Sequence, residues 1–168
     1  MVDVVVAMVD TSKYTVLQTR PLDSNIHRHN RIELAKKFRT DLLLSFHCNA
    51  HTNKSWNGTE IHISDSTVNV YDSSSKSNPY LTQNIKIAAA LSKNISTAFP
   101  LLKNNGTVHR KDRIWIIYAC TFPSAIIEWG YISNAKDIKI MQDSIAQKKL
   151  ATTVWQAIDE YFEVNKTK

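Results

Sequence analysis

Glycine is scarce in this chain. There are three among 168 residues, where ordinary usage of about 7% would give about 12. So little glycine excludes a collagen and a flexible glycine-rich linker. Gly58, Gly106 and Gly130 are therefore expected where the backbone requires them. Cysteine is limited to two, which excludes a disulfide scaffold. Cys48 and Cys120 each adjoin an apolar run and read as buried small hydrophobes. No apolar run reaches the roughly 18 residues of a membrane-spanning helix. The first ten residues lack a positive n-region and a cleavage site, so they do not read as a signal peptide. No long block of like charge occurs, and no nucleic-acid-binding motif is present.

The remaining composition is that of one globular domain. Apolar residues make up 43% and charged residues 21%, both near ordinary values. A chain of this length buries enough surface for a real core. The net charge of +6 suits an anionic partner: nucleic acid, an acidic cell-wall polymer or a membrane surface. The lysines are scattered, so a solvated surface is the better reading of the charge.

Apolar spacing at Val4, Val5, Met8 and Val9 fits the later turns of a buried helix. Lys13 to Arg20 is rich in β-formers and reads as a strand. Ser24 to Arg39 reads as a helix with Ile32, Leu34, Ala35 and Phe38 inside. Leu42 to His47 is a continuous apolar run of the kind found in covered strands. Thr59 to Ser64 reads as a strand and Asp65 to Asn78 as a polar loop. Pro79 opens a helix reaching about Phe99, with Leu81, Ile85, Ala88, Leu91 and Ile95 on one face. Asn104-Asn105-Gly106 reads as a turn. Ile114 to Ala119 and Ser124 to Glu128 read as strands. A short helix is expected after Asn134. A last one runs from about Ser144 to Phe162, with Leu150, Ala151, Val154, Ile158 and Tyr161 inward. Strands alternating with helices predict a single α/β domain. Its sheet should be mainly parallel or mixed, with helices on both faces and a first strand absent.

Two strand ends carry candidate chemistry. Period two puts Leu43, Ser45 and His47 on one face of their strand, with His47 at the C-terminal end. Ligands bind at that edge of open α/β sheets. The run Ser124 to Gly130 ends another buried strand with Glu128, whose burial needs a partner or a job. Desolvation would raise its pKa, as a general base requires. A structural histidine and a salt-bridged glutamate are the bland alternatives. His47 and His51 are an i, i+4 pair, but metal ligation at that spacing needs a helix and the preceding strand argues against one. His27 and His29 read as a solvated helical face. His62 is a weaker second candidate, its face undetermined.

Several blocks stand in a recognisable order. They are Thr19-Arg20, Asp23, Arg31, Ala35, Asp41 to Ala50, Gly58-Thr59-Glu60, and Pro123 to Asn134. Their order and spacing resemble the zinc-dependent N-acetylmuramoyl-L-alanine amidases of the cell-wall hydrolase type, over about residues 14 to 162. The resemblance implies a zinc ion held by two histidines and a glutamate, with one position left for water. It also implies a separate glutamate as general base. His47 matches the last zinc ligand and Glu128 the catalytic glutamate. The other two ligands of the family pattern align upstream of Met1, so the domain reads as N-terminally truncated. Lys36 stands where the family usually has asparagine. The implied reaction is cleavage of the amide between N-acetylmuramic acid and L-alanine of the stem peptide, with peptidoglycan as partner. The implied location is the cell envelope or the exterior. An inactive remnant or a non-catalytic wall-binding domain is the alternative that the resemblance leaves open.

Overall fold

The computed structural model describes residues 1–68 and 75–166. The elements run α1 (Val2–Ala7), α2 (Arg28–Lys37), β1 (Leu43–Asn49), β2 (Thr59–Ser64), β3 (Ser66–Val68), β4 (Ser75–Ser77), α3 (Leu81–Ala98), β5 (Asn104–Arg110), α4 (Trp115–Tyr118), β6 (Ser124–Tyr131), α5 (Ala135–Gln142) and α6 (Ser144–Lys166). Four strands form a mixed sheet in the order β1-β6-β2-β5. β1 pairs parallel to β6, and β2 parallel to β5, while β2 and β6 are antiparallel. The α/β class and the mixed sheet agree with the alternation of the sequence.

The sheet buries its two faces unequally. Ile61, Ile63, Ala125, Ile127 and Trp129 point into the main core, with Leu44 and Phe46 packed against it. That core is closed by Ile87, Ala88, Leu91 and Ile95 of α3 and by Leu150, Ala151, Val154 and Ile158 of α6. The opposite face is covered more thinly. There Leu43 meets Ile32 and Ala35 of α2, with Cys120 and Phe122. Asn84, fully buried on α3, accepts a hydrogen bond from the Ser124 N–H at 2.8 Å and so fixes where β6 begins. Asn134 caps α5 by accepting from Lys136 and Asp137 N–H.

Several expectations need correction. Lys13 to Arg20 is not a strand. Strand propensity needs a ladder to pair with, and this segment instead lines a groove of about 1570 Å³ with residues 42–48 on its other side. Its Tyr14 is fixed to α6 by a hydroxyl hydrogen bond to Asp159 at 2.8 Å. Ile114 to Ala119 is a helix, α4, because a short apolar run with Ile117 and Tyr118 buried suits either form. Asn104-Asn105-Gly106 lies inside β5. The turn signal is real but local: Gly106 has φ +79° and sits where the β2–β5 register shifts between Thr59 and Ile61. The polar loop contains β3 and β4, which pair antiparallel, and its residues 69–74 lie outside the described ones. α2 begins at Arg28, and its Phe38 end is exposed, as is Ile85 of α3. Only Val5 of α1 is buried. Cys120 is buried as expected, but Cys48 is exposed, since β1 is an edge strand and Cys48 borders the groove.

Candidate active site

β6 lies between β1 and β2, so Glu128 has a register partner on each side. These are His47 on β1 and Glu60 on β2. Alternation places all three on the thinly covered face, because Ile127, Trp129, Phe46 and Ile61 occupy the core side. The row His47–Glu128–Glu60 thus crosses three strands at the C-terminal edge of β1 and β6. The antiparallel run of β2 brings its N-terminal end to that edge.

Glu60 is the most heavily bonded member. The Tyr131 hydroxyl donates to its Oε1 at 2.5 Å, and the Asn49 amide donates to Oε2 at 3.3 Å. His62 Nε2 lies 2.8 Å from the same Oε2. Burial pulls the Glu60 pKa upward. The hydrogen bonds of Tyr131 and His62 and the charges of His62 and Arg110 outweigh it and leave it below the usual carboxylate range. Glu128 is different. Its Oε2 is buried with no hydrogen-bond partner. Desolvation, and then the negative charge of Glu60, push its pKa up to about 7, with Arg110 opposing. Two carboxyl groups side by side are thereby divided into a fixed anion and a proton-exchanging group.

His47 stands at the exposed end of the row, its Nε2 3.0 Å from Ser45 Oγ. Desolvation by the protein around its ring, followed by the charges of Arg31 and His62, holds its pKa below the usual histidine value. The structure therefore brings His47 and Glu128 side by side. His62 joins them on the same face, with its Nδ1 buried and unpartnered. His51 does not belong to a ligand pair with His47. Its Nδ1 accepts from the Asn53 N–H at 3.0 Å and its ring stacks on Trp56. Glu60, Tyr131 and Asn49 went without assigned roles in the sequence. Gly58-Thr59-Glu60 marked the place, but only the strand direction reveals that Glu60 faces Glu128.

A catalytic zinc centre needs about three protein ligands. Among the described residues no group of three or more His, Cys, Asp or Glu side chains is placed to hold a metal ion. Glu60 is committed to Tyr131, Asn49 and His62. The residues present do not fit a catalytic zinc centre.

The sequence matches the N-acetylmuramoyl-L-alanine amidase family over residues 4–160. The chain belongs to this amidase family. It is similar to an uncharacterised cell wall amidase of Bacillus anthracis, with 27% identity over 133 residues. That match takes in 79% of this chain but 23% of the relative, so the chain spans under a quarter of that protein's length. Among solved structures, the catalytic domain of the amidase CwlV from Bacillus (Paenibacillus) polymyxa var. colistinus superposes with a TM-score of 0.79 and 23% identity, covering 97% of this chain and 80% of that one. The amidase AmiC2 of Nostoc punctiforme gives a TM-score of 0.80 at 22% identity, covering 96% and 79%. These likenesses establish the amidase fold for nearly the whole chain. Within the amidase family match lie both the His47 and the Glu128 blocks. No helix among the described residues is long and apolar enough to cross a membrane.

Proposed function

We propose that this amidase-family domain acts on peptidoglycan at the cell envelope, hydrolysing the amide between N-acetylmuramic acid and L-alanine of the stem peptide. The observation that carries this reading is the state of Glu128, a half-buried carboxyl with a pKa of about 7 and a buried oxygen lacking a hydrogen-bond partner. Such a group takes a proton from water at neutral pH and returns it. In the reaction, the water oxygen bonds to the amide carbonyl carbon while Glu128 takes its proton. The C–N bond then breaks and Glu128 delivers that proton to the departing alanine nitrogen. Glu60 stays anionic and holds Tyr131, Asn49 and His62 around the site. His47 is the position that matches a family zinc ligand. Zinc activation of the water would need ligands that these residues do not supply.

The test is digestion of purified sacculi by the 168-residue chain, following release of L-alanine amino termini. Release that is abolished in Glu128→Gln supports the reading, and release that is unchanged in it removes Glu128 from the chemistry. A second reading, a wall-binding domain without hydrolysis, is favoured by the lack of a three-ligand cluster among the described residues. Cosedimentation with sacculi and no release of amino termini would select it.

A further inference from the structure

Beside the carboxylate row stands an aromatic face that the hydrolysis does not use. Trp56 lies in the loop between β1 and β2 and is 45% exposed. Its ring stacks on His51, with centroids 4.8 Å apart, and lies 6.5 Å from Tyr131. The Lys103 ammonium is 6.0 Å from the indole centroid. Tyr131 is also the residue whose hydroxyl holds Glu60. One side chain therefore separates the exposed indole from the row containing Glu128.

The loop that carries Trp56 is tied down along its length. The His51 N–H donates to Ser133 Oγ at 3.0 Å, and the Lys54 carbonyl accepts from the Asn134 amide at 2.8 Å. The Asn57 carbonyl accepts from the Asn105 amide at 2.9 Å, and the Gly58 N–H donates to buried Asp137 at 2.8 Å. Within the loop, the Trp56 N–H donates to the Asn53 carbonyl at 3.2 Å. A mobile loop could fold a large apolar ring against the protein. This loop instead holds the ring half-exposed at a fixed place, next to the site. Fixing a flat aromatic side chain in advance removes the entropy cost of ordering it when a ligand arrives.

We infer that Trp56, stacked on His51 and with the exposed, displaceable Lys103 ammonium over its ring, is a stacking platform for a pyranose ring of an N-acetylated glycan strand. The inference rests on the peptidoglycan reading above, because the ligand is the sugar portion of that substrate. The C–H face of a β-linked pyranose is apolar and slightly positive, which matches the negative face of an indole. The equatorial hydroxyl and acetamido groups at its rim need polar partners. Lys103 is exposed, and its long stem lets the ammonium reach an acetamido oxygen.

The experiment titrates the full 168-residue chain with a β-1,4-linked N-acetylglucosamine tetramer by calorimetry, and separately sediments it with whole sacculi. Neither readout requires hydrolysis. The tetramer should bind wild type. Trp56→Ala should weaken it by about five- to tenfold, as expected for one stacking contact. Trp56→Phe should recover most of the loss, and all three proteins should share one thermal melt. Tetramer binding that is equal in wild type and Trp56→Ala overturns the platform. So does sedimentation with sacculi without any tetramer binding, although the peptidoglycan reading then survives. Trp56-dependent tetramer binding without sacculus binding keeps the platform and removes peptidoglycan as its target. Binding to neither overturns both.

Discussion

Glu128 carries a pKa of about 7 because burial, and then the negative charge of Glu60, disfavour its ionised form. In the unfolded chain the same group ionises near its ordinary 4.5. The folded state therefore binds the proton more tightly. Its stabilising contribution is fully present below about pH 4.5 and is lost as the pH rises through about 7. Glu128→Gln cannot ionise, so it should melt higher than wild type at pH 8, the two converging at pH 4. Equal melts at pH 8 would mean that the carboxylate is not desolvated. In hydrolysis the same variant should lose roughly 10²–10⁴-fold of the rate, the usual worth of a general acid–base group. Wild-type activity should fall below pH 7 as Glu128 takes up its proton. Zinc is a separate matter at this scale. His47 is one ligand where about three are needed, so dialysis against zinc followed by metal analysis should leave well under one ion per chain. A stoichiometric zinc that disappears in both His47→Ala and His62→Ala would show that the carboxylate row can rearrange into a metal site. His47 and Glu128 stood out in the sequence because each closes an apolar run at a strand end, and the pairing of β1 with β6 sets them side by side. Glu60 was not, because its side of the site depends on which way β2 runs beside β6.

The loop from β1 to β2 depends on a single backbone conformation at its end. Gly58 has φ +100°, a region that L side chains rarely adopt. A Cβ there would stand 2.2 Å from the Lys103 carbonyl oxygen, which already accepts the Thr59 N–H at 2.8 Å. Gly58→Ala must therefore break the start of the β2–β5 ladder or shift the Lys103 backbone. The backbone conformation alone costs about 1–3 kcal/mol, and the overlap adds to it. Urea denaturation should show a loss of at least about 2 kcal/mol. The variant should also weaken sugar binding at Trp56, since the loop loses its anchor to Asp137. A stability within about 0.5 kcal/mol of wild type, the range of an ordinary surface change, would mean that the loop end tolerates another path. The long elements were readable for a related reason. α3 and α6 repeat apolar residues over many turns, and Ala88, Leu91, Ile95, Leu150, Val154 and Ile158 are all buried as that period requires. The short pieces were not. Ile114 to Ala119 is too brief for its period to separate strand from helix. Lys13 to Arg20 has strand-like residues but no partner strand, which no local pattern reveals.

At the scale of the whole molecule, the sheet ends on one side in β1, whose only ladder among the described residues is with β6. Its other edge borders the groove of about 1570 Å³ across from residues 12–23. Along that groove Val16 and Leu17 are 39% and 37% exposed, and Leu22 is 75% exposed. A strand edge beside apolar side chains presents backbone N–H and C=O groups that another chain can pair with. Natural edges are usually blunted by lysine, proline or a bulge. Among the described residues, the one irregularity in β1 is the register shift between His47 and Asn49, at its far end. Leu43 to Phe46 carries no charge and no proline. The net charge of +6 opposes association but is spread over the surface and is screened beyond roughly 8 Å at physiological salt. The chain is therefore expected to self-associate through β1. Sedimentation velocity between low and high micromolar concentration should show a shift from monomer to dimer or larger species. The shift should grow with salt as the charge repulsion is screened. Leu44→Lys would be a poor probe, because Leu44 packs against the main core. Leu22→Lys is the sharper one: it puts a charge on the exposed apolar wall across the groove from β1 and leaves the β1–β6 ladder, where the Leu43 N–H donates to the Pro123 carbonyl, untouched. It should reduce association while the sheet keeps a cooperative melt. A wild-type chain that stays monomeric over the whole range, with a cooperative melt independent of concentration, would show that the groove closes over β1 in solution and that the edge is protected.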